Sequence, residues 1–110
     1  MTYSENFEIW LNSADEETVS ELKAIDEKEK EERFYKSLDF GTGGLRGVIG
    51  AGTNRINKYT VRQATQALAD YINSNDIPGN GVCISYDSRK FSDVFAREAA
   101  CVLAANGKKV

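Results

Sequence analysis

Apolar residues in the first third of the chain are few and widely spaced within charge. Ser13 followed by Glu16 predicts a capping box at a helix start, and Val19, Leu22 and Ile25 then fall on one broad apolar face. The run Asp26 to Arg33 is nearly all charge, with Asp26/Lys30, Lys28/Glu32 and Glu29/Arg33 spaced as i,i+4 pairs, and reads as a solvated helix face. Phe34, Tyr35, Leu38 and Phe40 restore apolar content and return the chain to a domain, while Tyr3, Phe7 and Trp10 read as a hydrophobic attachment for this arm.

The second half alternates helical and strand-like patterns. Thr60 with Gln63 predicts a capped helix start, followed by an apolar face of Val61, Ala64, Leu68, Tyr71 and Ile72. That helix should stop before Asn75 to Gly81, where turn formers cluster and Pro78 restricts Ile77. Val82 to Tyr86 is apolar at nearly consecutive positions and predicts a buried parallel strand. A second helix is expected from about Ser92, packed through Phe95, Ala99, Val102 and Leu103 and ending at Asn106-Gly107, with Gly107 as its C′ residue. Lys108 to Val110 should open another strand. Helix followed by strand is the unit of an α/β fold, so the expectation is a mixed sheet layered with helices, incomplete at Val110. Residues 1–37 form an acidic helical arm in this reading, and residues 38–110 a partial domain.

Between these halves, six glycines fall in the twelve positions from Gly41 to Gly52. Such a density carries a high backbone-entropy cost, which implies close approach or unusual dihedrals somewhere in the loop. Leu45, Val48 and Ile49 are the residues available to anchor its ends, in a short strand.

Charge sharpens the division. The chain has a formal net charge of -3, but residues 1–35 hold 11 acids against four bases, while residues 36–110 hold 10 bases against six acids. The positive excess therefore lies with the glycine loop and suits a small anion; it is too diffuse to indicate nucleic acid. No stretch approaches the ~20 apolar residues of a membrane span, and the acidic start lacks the pattern of a secretory signal, so a cytoplasmic location is expected. Cys83 and Cys101, one in an expected strand and one in an expected helix, read as two reduced, packed thiols. With no histidine, a self-contained zinc site is not expected.

Arg46 is the leading candidate for phosphate contact. A guanidinium can donate two aligned hydrogen bonds to phosphate oxygens, and Gly43 and Gly44 allow backbone amides to converge beside it. A loop-closing contact to a carboxylate or carbonyl is the competing role for Arg46. The loop matches neither the nucleotide P-loop nor the dinucleotide fingerprint. Asp87-Ser88-Arg89-Lys90 follows the expected strand, where functional loops of open α/β sheets lie; Arg89 or Lys90 could neutralise an anion and Asp87 could orient a basic side chain. A turn and helix-entry role explains Asp87 and Ser88 equally. Arg55 and Lys58 add charge near the helix expected at Thr60, whose free amides could also face an anion, but surface solvation is the favoured reading of both. No combination of these residues completes a catalytic mechanism.

The order Phe40-Gly41-Thr42-Gly43-Gly44-Leu45-Arg46-Gly47, then Gly50-Ala51-Gly52-Thr53-Asn54-Arg55-Ile56-Asn57, then Tyr86-Asp87-Ser88-Arg89 resembles the N-terminal part of the α-D-phosphohexomutase superfamily, in particular its phosphoglucomutase and phosphopentomutase branch. The resemblance implies a first domain of mixed α/β layers within a four-domain parent. Arg46 would then face the phosphosugar cleft, with Gly43, Gly44, Arg89 and Lys90 also contributing to phosphate binding. It implies further that the catalytic phosphoserine would follow Val110 and that a magnesium loop would be supplied elsewhere in the parent, with a sugar bisphosphate as intermediate or activator. The expected partners are a phosphosugar and the remaining domains, without nucleic acid or membrane. The fragment itself would be inactive. A noncatalytic phosphosugar-binding module and a structural fragment that self-associates through an exposed sheet edge are the alternatives.

Overall fold

The computed structural model describes residues 2–41, 44–75, 77 and 81–110. These divide into two compact units, Met1–Asn57 and Lys58–Val110.

The first unit begins with three short helices, α1 (Tyr3–Ser13), α2 (Glu16–Lys23) and α3 (Glu27–Phe34). Each is opened by a side-chain oxygen that accepts from an otherwise orphaned amide: Thr2 from Glu5 N–H at 3.2 Å, Asp15 from Thr18 N–H at 3.0 Å and Asp26 from Glu29 N–H at 2.8 Å. Acidic first turns (Glu5; Glu16 and Glu17; Glu27 and Glu29) complement the positive helix ends. The expected capping box at Ser13 is corrected, because Ser13 closes α1 and the carboxylate of Asp15 caps α2. Asp26 likewise serves as a cap, whereas the Glu29/Arg33 pair forms at 2.9 Å as its spacing predicts.

Phe7, Leu22, Phe34 and Ala51 form the core of this unit, with Tyr3, Trp10, Leu11 and Ile25 packed around it. Phe34 is fully buried, and both Phe7 and Trp10 meet it edge-to-face at 5.6 Å between ring centroids. Of the aromatic attachment read from Tyr3, Phe7 and Trp10, Phe7 is therefore part of the core of the N-terminal unit, and Tyr3 and Trp10 pack against that core. Tyr35 and Phe40, expected to pack inward, are exposed.

After α3 the chain enters the glycine loop through a minimal antiparallel pairing of β1 (Phe40–Gly41) with β2 (Gly44–Leu45), in the register Phe40↔Leu45 and Gly41↔Gly44. An isolated parallel bridge, Ile49↔Ile56, closes the next turn of chain. Gly44 has φ +112° and Gly52 φ +132°, both in the region that disfavours side chains, so the unusual dihedrals expected of the loop are present at these positions.

The second unit consists of α4 (Lys58–Ser74) packed on α5 (Ser92–Ala105). Thr60, Thr65 and Ala69 of α4 and Leu103 of α5 are buried. Thr65 Oγ1 satisfies itself by donating to the Val61 carbonyl at 2.7 Å. Arg62 pairs with Glu98 at 2.6 Å, and the side-chain amides of Gln66 and Asn106 exchange hydrogen bonds of 2.8 and 3.0 Å. The helix ends at Ser74 and starts at Ser92 agree with the expectations, and Gly107 takes φ +80° after α5. Two expectations for α4 are corrected. Thr60 is a buried position inside the helix rather than its cap, and Leu68 and Tyr71 are exposed because the inward stripe runs through Thr65 and Ala69 instead.

The expected mixed sheet is not formed. Among the described residues five helices carry the structure, and strand pairing is limited to β1 with β2 and the single bridge. Val82 to Tyr86 adopts no ladder; Val82 N–H donates to the Lys109 carbonyl at 2.7 Å. A short apolar run becomes a strand only where neighbouring backbone supplies a register of partners, and one bond does not make a register. Cys83 and Cys101 are both free thiols, as expected, but exposed rather than packed.

Candidate functional site

Arg46 immediately follows β2 and is exposed, and it makes no hydrogen bond or ion pair to another described residue. The loop-closing contact that competed with a ligand role for Arg46 is thus not made to any described residue. A Cβ at Gly44 would meet nothing within 4 Å, so glycine is required there by its φ and not by crowding. Gly43, together with Thr42, lies outside the described residues.

Downstream of Arg46 the loop is held firmly. Val48 C=O accepts from Ile56 N–H at 2.8 Å, and Gly50 N–H donates to Ile56 C=O at 3.1 Å. Asn57 Nδ2 donates to the carbonyls of Gly50 and Gly52, both at 2.9 Å. Leu38 N–H donates to Thr53 C=O at 3.0 Å, and Asn54 N–H donates to Arg33 C=O at 2.9 Å. These bonds dock the loop on the end of α3.

A charge cluster that the sequence pattern did not reveal completes the docking. Arg33 has a side chain only 16% exposed; its Nη1 donates to Glu21 Oε2 at 2.6 Å and its Nε to Glu29 Oε2 at 2.9 Å. Arg55, read from the sequence as a solvated cation, is 13% exposed in its side chain and lies 3.9 Å from Glu29 and 4.0 Å from Glu32. Partial burial pushes the Glu21 carboxyl up, but the Ala51 N–H and the Arg33 guanidinium outweigh it and hold the group below the usual glutamate range. The available signal was the position of Arg33 directly before Phe34 and on the same helix face as Glu29.

Arg89 and Lys90 belong to the second unit and form their own local arrangement. Asp87 Oδ1 accepts from Arg89 N–H at 3.0 Å, and Asp87 Oδ2 accepts from Arg89 Nε at 2.7 Å. Asp87 therefore orients a basic side chain, as its position suggested. The Arg89 backbone N–H and then its guanidinium hold the Asp87 carboxyl below its ordinary value. Arg89 remains 88% exposed, so its outward face is open to solvent. Lys90 Nζ lies 5.1 Å from the ring centroid of Phe91, which takes a left-handed conformation (φ 67°) at the start of α5.

Among the described residues no group of three or more His, Cys, Asp or Glu could hold a metal ion. No helix there is long and apolar enough to cross a membrane.

Residues 37–110 match the family model described as phosphoglucomutase/phosphomannomutase, alpha/beta/alpha domain I. Among similar proteins, a phosphoglucomutase of Staphylococcus saprophyticus is 38% identical over 100 residues, covering 90% of this chain. Phosphoglucomutases of Staphylococcus epidermidis and Staphylococcus aureus are each 36% identical, covering 92% and 88% of it. The chain spans 18% of the length of these relatives. No solved structure matches it. The family match takes in β1, β2, the docked loop, α4 and α5, and with it the chain belongs to the phosphoglucomutase/phosphomannomutase domain I family.

Proposed function

We propose that this chain supplies the phosphosugar-facing loop of a phosphoglucomutase-like enzyme, with Arg46 as its principal phosphate ligand. The observation that carries the reading is an exposed Arg46 guanidinium without a partner among the described residues, on a loop anchored immediately downstream. A guanidinium so presented can give two parallel hydrogen bonds to a phosphate, and a Cβ at Gly44, two residues upstream, would meet nothing within 4 Å. Arg89 and Lys90, with Gly43 and Gly44, are proposed as further phosphate contacts, Arg89 with its Nε held by Asp87.

In a longer chain the reaction interconverts a sugar 1-phosphate with a 6-phosphate, or with a 5-phosphate for a pentose. A phosphoserine gives its phosphoryl group to the free sugar hydroxyl, forming a bisphosphate. The bisphosphate reorients and returns its other phosphoryl group to the serine oxygen. This chain's share is to bind and orient the phosphate that is not being transferred. Magnesium, implied by the resemblance, has no fitting ligand set among the described residues.

A coupled assay of the longer chain with glucose 1-phosphate and ribose 1-phosphate tests the reading. Turnover of either substrate, reduced at least tenfold in kcat/KM by Arg46→Ala with melting unchanged, is the expected result; a tenfold loss corresponds to about 1.4 kcal/mol of transition-state stabilisation. Phosphosugar binding without turnover would assign the chain to a noncatalytic binding module instead.

A further inference from the structure

Glu21 of α2 and Arg33 of α3 converge on the backbone of a single residue, Ala51. Ala51 N–H donates to Glu21 Oε2 at 2.8 Å, and Ala51 C=O accepts from Arg33 Nη1 at 3.2 Å. Since Nη1 also donates to Glu21 Oε2 at 2.6 Å, the three groups close a ring around residue 51. Both polar directions of the Ala51 backbone are taken up by charge-assisted bonds, which are shorter and stronger than neutral ones. Ala51 itself is 4% exposed and belongs to the core with Phe34 and Leu22.

The residues flanking Ala51 fit this clamp closely. A Cβ on Gly52 would lie 2.7 Å from the Arg33 carbonyl oxygen, and one on Gly50 would lie 3.3 Å from both Arg33 Nη1 and Glu21 Oε2. The constraint passes back along the chain through Gly50 N–H to Ile56 and through Ile56 N–H to the Val48 carbonyl, two residues from Arg46. Arg33 is held in turn by Glu29, whose carboxylate also lies 3.9 Å from Arg55, and Arg55 lies 4.0 Å from Glu32. Glu29, Glu32 and Arg55 are thus the further charges around the Glu21–Arg33 pair.

We infer that Glu21 and Arg33 are positioning residues, clamping the backbone on both sides of Ala51 so that the loop presents Arg46 in a fixed orientation to a sugar phosphate. The inference rests on the phosphosugar reading of Arg46 and extends it to two side chains of the acidic N-terminal helices. Neither residue touches the ligand; their effect passes through the loop backbone.

The test is amide NMR of this 110-residue chain during a pH titration and a glucose 1-phosphate titration. In the unmodified chain the Ala51 amide should shift as Glu21 protonates, with the Arg46 and Gly47 amides moving in concert. Glu21→Gln should abolish that titration. Glu21→Gln and Arg33→Lys should each weaken the glucose 1-phosphate response at Arg46 and Gly47 by about fivefold or more, with Trp10 fluorescence remaining native. The double substitution should lose no more than the worse single one, as expected for partners in one unit. An Ala51 amide that does not titrate, Arg46 and Gly47 amides that ignore its titration, or folded variants with unchanged affinity would overturn the inference. A glucose 1-phosphate titration that moves no amide near Arg46 in the unmodified chain would instead remove the phosphosugar reading, while the Ala51 titration independently reports whether the clamp exists. The pH titration needs no variant, so a substitution that unfolds the chain does not decide the matter.

Discussion

Replacing Phe34 with alanine should dismantle the N-terminal unit. Phe34 is fully buried at the end of α3, in edge-to-face contact with Phe7 and Trp10 and in one cluster with Leu22 and Ala51. Truncating such a phenylalanine costs about 3–5 kcal/mol, combining lost transfer free energy with an unfilled cavity. At ~0.05–0.15 kcal/mol per residue, a unit the size of Met1–Asn57 has roughly 3–9 kcal/mol in total. The substitution therefore removes from about a third of it to all of it. With a urea slope of about 1 kcal/mol/M for a small unit, the midpoint should fall by about 3–5 M or the unit should be unfolded in water. Trp10 is the sole tryptophan and packs against Phe34, so its fluorescence follows this unit alone. Phe34→Leu, which keeps an apolar side chain near the original volume, should cost only about 1 kcal/mol. A midpoint shift for Phe34→Ala as small as that expected for Phe34→Leu would refute the assigned core.

Three further predictions concern the loop, its docking on α3 and the Asp87–Arg89 turn. Gly52→Ala, with φ +132° and a Cβ that would sit 2.7 Å from the Arg33 carbonyl oxygen, should destabilise the unit by about 1–3 kcal/mol in urea unfolding followed by Trp10 fluorescence. Gly44→Ala, strained at φ +112° but with open space around it, should cost less, and equal losses would contradict the close approach at Gly52. Because Glu21 is held below its usual range, its stabilisation is complete above the unfolded glutamate value of about 4.3 and is lost as pH falls through the folded value. Acid unfolding monitored by Trp10 should therefore show a shallower dependence on pH in Glu21→Gln, and an unchanged profile would count against the Glu21 contacts. Asp87→Asn should leave the melting temperature of the chain unchanged, since the Asp87–Arg89 contact is exposed, while increasing the mobility of the Arg89 side chain seen by Nε relaxation; unchanged Nε relaxation would show that Asp87 does not hold the guanidinium.

The family was legible before the structure because it resides in the order of glycine, arginine and turn residues from Phe40 to Arg89. Helix ends set by local chemistry were legible too: Ser74 precedes a cluster of turn formers, Ser92 opens α5, and Gly107 adopts its left-handed turn. Features that depend on distant backbone were not. Val82 to Tyr86 has strand-like composition, but composition does not provide a neighbouring ladder. Arg33 looked like one charge among many in Asp26 to Arg33; only its approach to Glu21 and Ala51, far away in sequence, buries it and gives it a task. Ser13 and Thr60 satisfied capping patterns by type and spacing, yet a nearby aspartate and an earlier helix start took precedence. Arg46 was singled out by its glycine surroundings, and the structure leaves it exposed.

The proposed role of Arg46 rests on a single binding event. Titrating glucose 1-phosphate into this chain, with neutral glucose as the control, should shift the amides around Arg46 in a saturable way, and Arg46→Ala should abolish those shifts while leaving Trp10 fluorescence native. Equal responses to glucose 1-phosphate and glucose, or full binding by a folded Arg46→Ala chain, would contradict it.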